Sequence, residues 1–211
     1  MFLKICGLTR LAEAKHAVDA GATALGFVLW PRSPRFVSDR QVEQIVASLP
    51  ASVITVGVFV NQSLDGILLT MARTGLTMVQ LHGDEPSLYA SAISWPILKS
   101  VTLDKGDGLV EGWPAETTFL VDAADPQRRG GTGEAVDWTK AATLARLRRT
   151  VLAGGLTPEN VEEAIATVQP YGVDVSSGVE DGPGLKNAKK VARFLANAQR
   201  GMARLQSGRM N

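Results

Sequence analysis

The sequence predicts an α/β protein with the (β/α)8, or TIM, barrel fold. Eight short apolar runs rich in β-branched residues end in Gly, Pro, Ser or Asp. Most segments between them have apolar residues at three- and four-residue spacing after an N-cap candidate, which indicates helices. The runs are apolar almost throughout, as parallel strands covered on both faces are. Eight such units fit 211 residues as one closed barrel.

Each element can be assigned to a stretch of the sequence. The expected strands are FLKICG, ALGFVLWP, VITVGVFVN, MVQLHGD, PILKSV, TFLVDA, TVLAGG and GVDVSSG. The clearest helical segments are TRLAEAKHAVDAG, SDRQVEQIVASL, QSLDGILLTMARTG and TPENVEEAIATV. The connection TLDKGDGLVEGWPAE holds three glycines and a proline, so the helix after the fifth strand is expected to be short or absent. A doubly wound open sheet is the alternative, but no G-x-G-x-x-G follows the first run.

The composition predicts a globular protein, with 45% hydrophobic and 20% charged residues. A formal net charge of +1 gives no electrostatic argument for nucleic acid or an anionic membrane as the main partner. The first run is too short for a signal sequence and no stretch is long enough to cross a bilayer, so a cytoplasmic location is expected. The one cysteine excludes an intramolecular disulfide, and His16 and His82 have no metal-ligand spacing, so no metal site is expected.

A single barrel domain is expected over residues 1–200, because no Pro-, Ser- or Gly-rich linker divides the chain. Residues 201–211 are expected to form a polar C-terminal tail, after a last helix with a basic, solvated face. The sequence is compatible with a monomer or a homodimer.

Polar residues follow the predicted strands, at the end of the barrel where active sites of this fold are built. They are Cys6, Arg32, Arg35, Asn61, His82, Asp84, Asp122, Gly154, Gly155, Ser176, Ser177 and Gly178. This set supplies a nucleophile or base, acids, cations and glycine-rich loops together. We therefore place Cys6 at the active face, although a free cysteine is most often a small, inert, buried hydrophobe.

Two glycine-containing loops, AGGLTPENV and SSGVEDGPG, follow the seventh and eighth strands. This is the usual place in the fold for a phosphate held by backbone N–H groups and a helix N-terminus. Glycine pairs are also routine in turns and helix caps. Two such loops on consecutive strands nevertheless favour a phosphorylated small-molecule ligand.

Asp122 ends an otherwise apolar run, so its carboxyl is expected to be partly desolvated and its pKa raised, which suits a general acid. The alternative is an aspartate that caps a loop or pairs with Arg128 or Arg129. Asp125 is a competing acid, ranked lower because it lies beyond the strand and just before Pro126.

Four further side chains bear on the candidate site. Arg32 and Arg35 lie between prolines, where a guanidinium can bind a carboxylate through two parallel hydrogen bonds or simply be solvated. His82 is interpreted as a strand-end residue satisfied by hydrogen bonds rather than as a catalytic base. Lys4 lies on the same side of the first strand as Cys6, where its ammonium would stabilise a thiolate.

Seven segments, in this order, resemble the phosphoribosylanthranilate isomerase family of tryptophan biosynthesis. They are KICGLTR, GFVLWPRSPRFVS, VGVFVN, VQLHGDE, GGTGEAVDW, GGLTPENV and DVSSGVE with GPGLK. The resemblance runs from Lys4 to about Lys186, and KICG with QLHG and DVSSGVE is specific in combination. Asn187 departs from the family, whose members often have an acidic residue there, but this touches only the start of the last helix.

The resemblance implies a cofactor-free and metal-free Amadori rearrangement of phosphoribosylanthranilate to carboxyphenylamino-deoxyribulose phosphate. It implies Cys6 as general base, Asp122 as general acid and Arg35 as the ligand of the anthranilate carboxylate. The other residues expected to contact the substrate are His82, Gly154, Gly155, Ser177 and Gly178. In this scheme Asp122 protonates the furanose ring oxygen, the ring opens to a Schiff base, and a Cys6 thiolate removes the proton from the adjacent sugar carbon.

Two other functions are compatible with a phosphate-binding barrel. Another phosphosugar isomerase or epimerase would share the phosphate loops but use carboxylates or a metal, and would not need Cys6. A non-catalytic barrel that binds a phosphorylated metabolite as a sensor or assembly subunit would tolerate the loss of Cys6 and Asp122, and this sequence has both.

Overall fold

The computed structural model describes residues 1–103, 110–122 and 136–209, and in these ranges the strands form a closed barrel. The strands are β1 (Phe2–Cys6), β2 (Ala24–Val28), β3 (Ile54–Phe59), β4 (Met78–Leu81), β5 (Ile97–Val101), β6 (Thr118–Val121), β7 (Thr150–Leu152) and β8 (Gly172–Val175). Each strand pairs in parallel with the next, and β8 pairs with β1. The predicted barrel is therefore confirmed, and every expected strand is present.

Helices lie between the strands. They are α1 (Leu11–Asp19), α2 (Asp39–Val46), α3 (Leu64–Thr74), α4 (Trp138–Leu147), α5 (Val161–Val168) and α6 (Ala188–Arg209). Short 3-10 helices follow β4 (Ser87–Ser91) and β8 (Ser177–Val179), and a small hairpin of β9 (Glu180–Gly182) and β10 (Leu185–Lys186) precedes α6. Between β5 and β6, the described residues 102–103 and 110–117 contain no α-helix, as the glycine-rich connection predicts.

The inside of the barrel changes from apolar to polar along the strands. An apolar layer closes the end from which the strands start, formed by Phe2, Ala24, Val56, Leu98, Leu120 and Val151. Alternate residues of a strand share a face, so Lys4 and Cys6 continue the face of Phe2 towards the carboxyl end. The larger part of the core lies between the strands and the surrounding helices. The polar inner residues are therefore held at the barrel mouth over a closed apolar floor.

The last helix is longer than the sequence analysis expected. It continues to Arg209, and Met202 is buried in the core together with Phe194 and Ala198. These three residues recur every four positions, so they extend one apolar face of α6. The expected boundary at 200/201 therefore falls inside α6, and residues 201–209 continue the helix instead of forming a separate tail. In the described part of the chain, no helix combines the length and the apolar composition that a membrane span requires.

Candidate active site

The carboxyl ends of the strands bring most of the predicted site residues to one mouth of the barrel. One cleft at this mouth spans the ends of β6, β7 and β8. Its lining includes Asp122, Gly154, Gly155, Asp174, Ser177 and Gly178. The candidate acid thus shares a cleft with all four residues expected in the phosphate loops. Asp174, a buried carboxylate on the same cleft, was not predicted.

The two glycine loops need glycine for reasons of backbone geometry. Gly154 and Gly155 have φ values of +72° and +69°, a left-handed conformation that other L residues rarely adopt. A Cβ atom on Gly178 would overlap the backbone carbonyl of Leu156. The loops after β7 and β8 are therefore in direct backbone contact. Together they form one continuous surface at the mouth of the barrel.

Cys6 lies beside a buried ion pair. The Lys4 side chain is fully buried, and its Nζ donates to both carboxylate oxygens of Asp174 at 3.0 Å. The Lys4 ammonium also interacts electrostatically with the Cys6 side chain. A Cβ atom on Gly26 would lie 2.8 Å from Cys6 Sγ and 3.0 Å from Lys4 Nζ. The missing side chain at Gly26 therefore leaves the space in which the thiol and the ammonium meet.

Burial dominates the electrostatics of Cys6. It raises the pKa of the thiol, Lys4 lowers that pKa, Asp174 raises it, and the net pKa is above the usual value. For Lys4, burial alone would lower the pKa, but the interactions with Asp174 and then Cys6 outweigh it, and the net pKa is raised. The predicted proximity of Lys4 to Cys6 is confirmed. Lys4 lowers the pKa of the thiol, as expected, but burial and Asp174 together outweigh this effect.

The guanidinium of Arg35 is held by Glu180. Arg35 Nε donates to Oε1 at 2.9 Å and Nη2 donates to Oε2 at 2.7 Å. Lys186 Nζ donates to the same carboxylate at 2.6 Å and to the Ser176 carbonyl at 3.1 Å. Burial opposes the Glu180 charge, but the Arg35 hydrogen bond and the Lys186 charge hold its pKa below the usual range. A Cβ on Gly7 would lie 2.5 Å from the Arg35 side chain, which therefore packs on the end of β1.

His82 lies next to the candidate acid. Its Nε2 is 3.6 Å from Asp122 Oδ2, and the two side chains are 11% and 12% exposed. Its Nδ1 is 2.7 Å from Nε2 of the buried Gln80. His82 is hydrogen-bonded, as the sequence analysis expected of a strand-end residue.

A second buried ion pair supports the loop that carries His82. Lys99 Nζ lies 2.8 Å from Glu85 Oε2 and donates to the Gly83 carbonyl at 2.7 Å. Glu85 in turn accepts hydrogen bonds from the backbone N–H groups of Gly83 and Asn61. The loops after β3 and β4 are tied together in this way. The presence of Glu85 in the LHGDE motif was the available sequence signal for this pair.

Several other predicted residues lie away from this cluster. Arg32 is exposed, so of the two loop arginines only Arg35 packs into the mouth. Asn61 and Asp84 are exposed and joined by a hydrogen bond from the Asp84 backbone to Asn61 Oδ1. Asp125, Arg128 and Arg129 lie outside the described residues. Within the described ranges no group of three or more His, Cys, Asp or Glu is placed to hold a metal ion.

Comparison with known proteins identifies the family. The family model described as N-(5'-phosphoribosyl)anthranilate (PRA) isomerase matches residues 3–197. The chain belongs to this family. It is therefore an isomerase, and the resemblance noted in the sequence is confirmed.

Individual PRA isomerases match over almost the whole chain. The N-(5'-phosphoribosyl)anthranilate isomerase of Citrifermentans bemidjiense is 43% identical, over 94% of this chain and 97% of its own. A crystal structure of the Thermus thermophilus phosphoribosyl anthranilate isomerase has a TM-score of 0.86 at 39% identity, covering 95% of this chain and 99% of that one. Another, of a PRA isomerase with reduced 1-(o-carboxyphenylamino)-1-deoxyribulose 5-phosphate, has a TM-score of 0.81 at 35% identity, with the same coverages.

Four residues at the site were not among the predicted site residues, although they stand in motifs that carry the resemblance to the family. Glu180 and Lys186 stand in the motifs DVSSGVE and GPGLK, and Gln80 stands in QLHG. Asp174 begins DVSSGVE. Their presence in the quoted motifs was the available signal, but their partners are known only from the fold.

Proposed function

We propose that the protein converts phosphoribosylanthranilate to carboxyphenylamino-deoxyribulose phosphate by general acid–base catalysis, with Asp122 as acid and Cys6 as base. The observation that carries the proposal is the arrangement at the mouth of the barrel. Asp122 shares a cleft with the two glycine loops, and Cys6 ends β1 on the inner face, next to β8. In the proposed reaction, one substrate spans the acid, the base and the phosphate site at this mouth.

The acid step uses Asp122 in its protonated form. The carboxyl donates its proton to the furanose ring oxygen, the bond from that oxygen to the anomeric carbon breaks, and the substrate nitrogen forms a C=N bond. This leaves a protonated Schiff base and an Asp122 carboxylate. The side chain is 12% exposed, so the carboxyl is largely shielded from bulk water where it transfers its proton.

The base step uses Cys6 as a thiolate. The thiolate removes the proton from the sugar carbon next to the C=N bond, and the electron pair moves to give an enolamine, which tautomerises to the ketone. Burial and Asp174 raise the pKa of the thiol, so the thiolate, once formed beside Lys4, is a stronger base than an ordinary one.

The two charged ends of the substrate would be held on either side of these groups. Gly154, Gly155, Ser177 and Gly178 would bind the phosphate through the loops after β7 and β8. Arg35 would bind the anthranilate carboxylate. A guanidinium has five N–H donors, so Arg35 can take a second carboxylate while Glu180 holds it in place. Fixing both ends keeps the reacting carbon in register between acid and base.

The proposed function includes a substrate class, the absence of a cofactor, a cellular location and an oligomeric state. The substrate is a small phosphorylated molecule, and the acid–base pair carries the reaction without a cofactor. We place the enzyme in the cytoplasm, and its net charge of +1 gives no electrostatic argument for a nucleic-acid partner. A structural neighbour at 35% identity is described as monomers generated from the dimeric Thermotoga maritima enzyme, so either a monomer or a homodimer is compatible with the fold.

The test is turnover of freshly generated phosphoribosylanthranilate, followed by loss of anthranilate-type fluorescence. Cys6→Ala and Asp122→Asn should each lose about 10²- to 10⁴-fold in kcat, the usual contribution of a general acid or base. Asp65→Asn, on the exposed face of α3, is the matched carboxylate control and should keep full activity. Arg35→Lys should raise KM, whereas Arg32→Lys should not.

Other results would contradict a part of the proposal or the whole of it. Full activity in Cys6→Ala or Asp122→Asn would show that the base or the acid is misplaced. An inert wild type that still binds a product analogue would favour the sensor function. Turnover of a different phosphosugar, without turnover of phosphoribosylanthranilate, would favour a related isomerase or epimerase.

A further inference from the structure

Three side chains form a continuous line from the interior of the barrel to the candidate acid. Gln80 and His82 are two residues apart at the end of β4, so they share its inner face. Gln80 is 1% exposed, and its Nε2 is 2.7 Å from His82 Nδ1. On the other side of the ring, His82 Nε2 is 3.6 Å from Asp122 Oδ2. Among the described residues, the imidazole of His82 therefore connects Gln80 with Asp122.

The contact with Gln80 determines which ring nitrogen of His82 carries the proton. The Gln80 amide nitrogen faces Nδ1, and an amide nitrogen can donate but not accept, so in this arrangement Nδ1 accepts and is unprotonated. In a neutral imidazole the proton then lies on Nε2. His82 therefore presents an N–H group, and not a lone pair, to Asp122.

Packing does not explain a glutamine at this position. Its Oε1 is buried and has no hydrogen-bond partner among the described residues. Methionine has a similar length and would leave no unsatisfied oxygen in the barrel. A buried polar group that lacks a partner calls for an explanation, and the amide contact with His82 supplies one.

We propose that Gln80 is a positioning residue that holds His82 in the Nε2–H tautomer, so that His82 can donate to the Asp122 carboxylate formed when the acid gives up its proton. The inference rests on the proposed function, which makes Asp122 the acid. It assigns to Gln80 and His82 a role distinct from substrate contact.

The distance to Asp122 indicates when this donor acts. At 3.6 Å the contact is longer than a hydrogen bond, so it adds little while Asp122 is protonated. It strengthens when negative charge develops on the carboxylate, and interactions that strengthen only in the transition state raise kcat and leave KM unchanged. Loss of the correct tautomer should therefore lower kcat alone.

The tautomer can be measured directly by long-range ¹H–¹⁵N NMR correlation of the imidazole rings. The chain has only two histidines, so the spectrum is simple. His16 is an internal reference, because its Nε2 lies 2.9 Å from the Ala188 carbonyl, which can only accept and so requires Nε2–H. We expect His82 to show the same Nε2–H pattern as His16 at neutral pH.

Two substitutions of Gln80 separate the tautomer from packing. Gln80→Glu keeps the shape but replaces the donor with an acceptor, so His82 should become protonated on Nδ1. Gln80→Met removes the donor, so His82 should populate both tautomers. Each should lower kcat by about 10-fold, the equivalent of one lost hydrogen bond, and leave KM within about twofold. Gln44→Glu, an exposed glutamine of α2, is the control and should change neither readout.

An Nδ1–H pattern for His82 in the wild type would overturn the proposal, and this measurement does not require that any variant folds. An unchanged tautomer and an unchanged kcat in Gln80→Glu would overturn it as well. The NMR measurement is made without substrate, so it is independent of turnover. An Nε2–H pattern in a protein that is inert on phosphoribosylanthranilate would support the Gln80 assignment while the proposed function fails.

Discussion

Replacing Lys4 by methionine should destabilise the barrel, because the Asp174 carboxylate would remain buried without its cation. The Lys4 and Asp174 side chains are 0% and 8% exposed, and Nζ donates to both carboxylate oxygens at 3.0 Å. Methionine keeps most of the length and volume of lysine but has neither the charge nor the N–H donors. The substitution therefore removes the pairing and largely keeps the packing.

The expected loss follows from the burial of both partners. Removing one member of a buried ion pair costs about 3–5 kcal/mol. In a protein of this size each kcal/mol moves Tm by about 2–4 °C, so Tm should fall by about 6–20 °C. In the double variant Lys4→Met/Asp174→Asn the unpaired charge is gone, and only a buried amide remains to be accommodated. It should therefore regain most of the stability lost in Lys4→Met.

The measurement is urea unfolding at pH 7, followed by circular dichroism, together with thermal melting. Lys189→Met is the control, because Lys189 is exposed on α6 and its substitution should change stability by no more than about 0.5 kcal/mol. A Lys4→Met protein within about 1 kcal/mol of the wild type would refute the reasoning, since ordinary substitutions already cost that much. So would a double variant less stable than both single variants.

Other substitutions test the charges and loops around the site. Asp174→Asn should move the alkylation of Cys6 to lower pH, because Asp174 raises the pKa of the thiol; an unchanged pH profile with iodoacetamide would contradict this. The pKa of Glu180 is lower in the folded protein than in the unfolded chain. Its contribution to stability is therefore complete at neutral pH and lost as pH falls below about 4.3, so urea unfolding should show Glu180→Gln and the wild type converging at acid pH. Gly178→Ala should cost about 1–3 kcal/mol of stability and raise KM, because its Cβ overlaps the Leu156 carbonyl; wild-type kinetics and stability would argue against contact between the two loops.

The barrel was predictable because its signal is local. Parallel strands covered on both faces are apolar along their whole length, and each of the eight quoted runs coincides with one of the strands β1 to β8. The helices α1, α2, α3 and α5 were predictable for the same reason, since three- and four-residue spacing is read within one segment.

The candidate residues at the mouth were also predictable from position alone. In a closed parallel barrel the carboxyl ends of all strands lie on one face, so residues that end apolar runs lie near one another. Asp122, Gly154, Gly155, Ser177 and Gly178 line one cleft for this reason.

The partners of these residues required the tertiary structure. Lys4 and Asp174 are 170 residues apart, and Arg35 and Glu180 are 145 apart. Such pairs form only when β8 closes on β1, and no local pattern shows which charges will meet. The end of the last helix depended on the core in the same way, because Met202 is covered by the rest of the barrel.

The sequence by itself determined the order of strands and helices, the family, and which residue stands at the end of each strand. Only the tertiary structure decided that Lys4 is neutralised by Asp174, that burial raises the pKa of Cys6, and that Gln80 reaches Asp122 through His82. The physical reason is that periodicity is a property of neighbouring residues. Burial and charge pairing depend instead on groups that are brought together when the barrel closes.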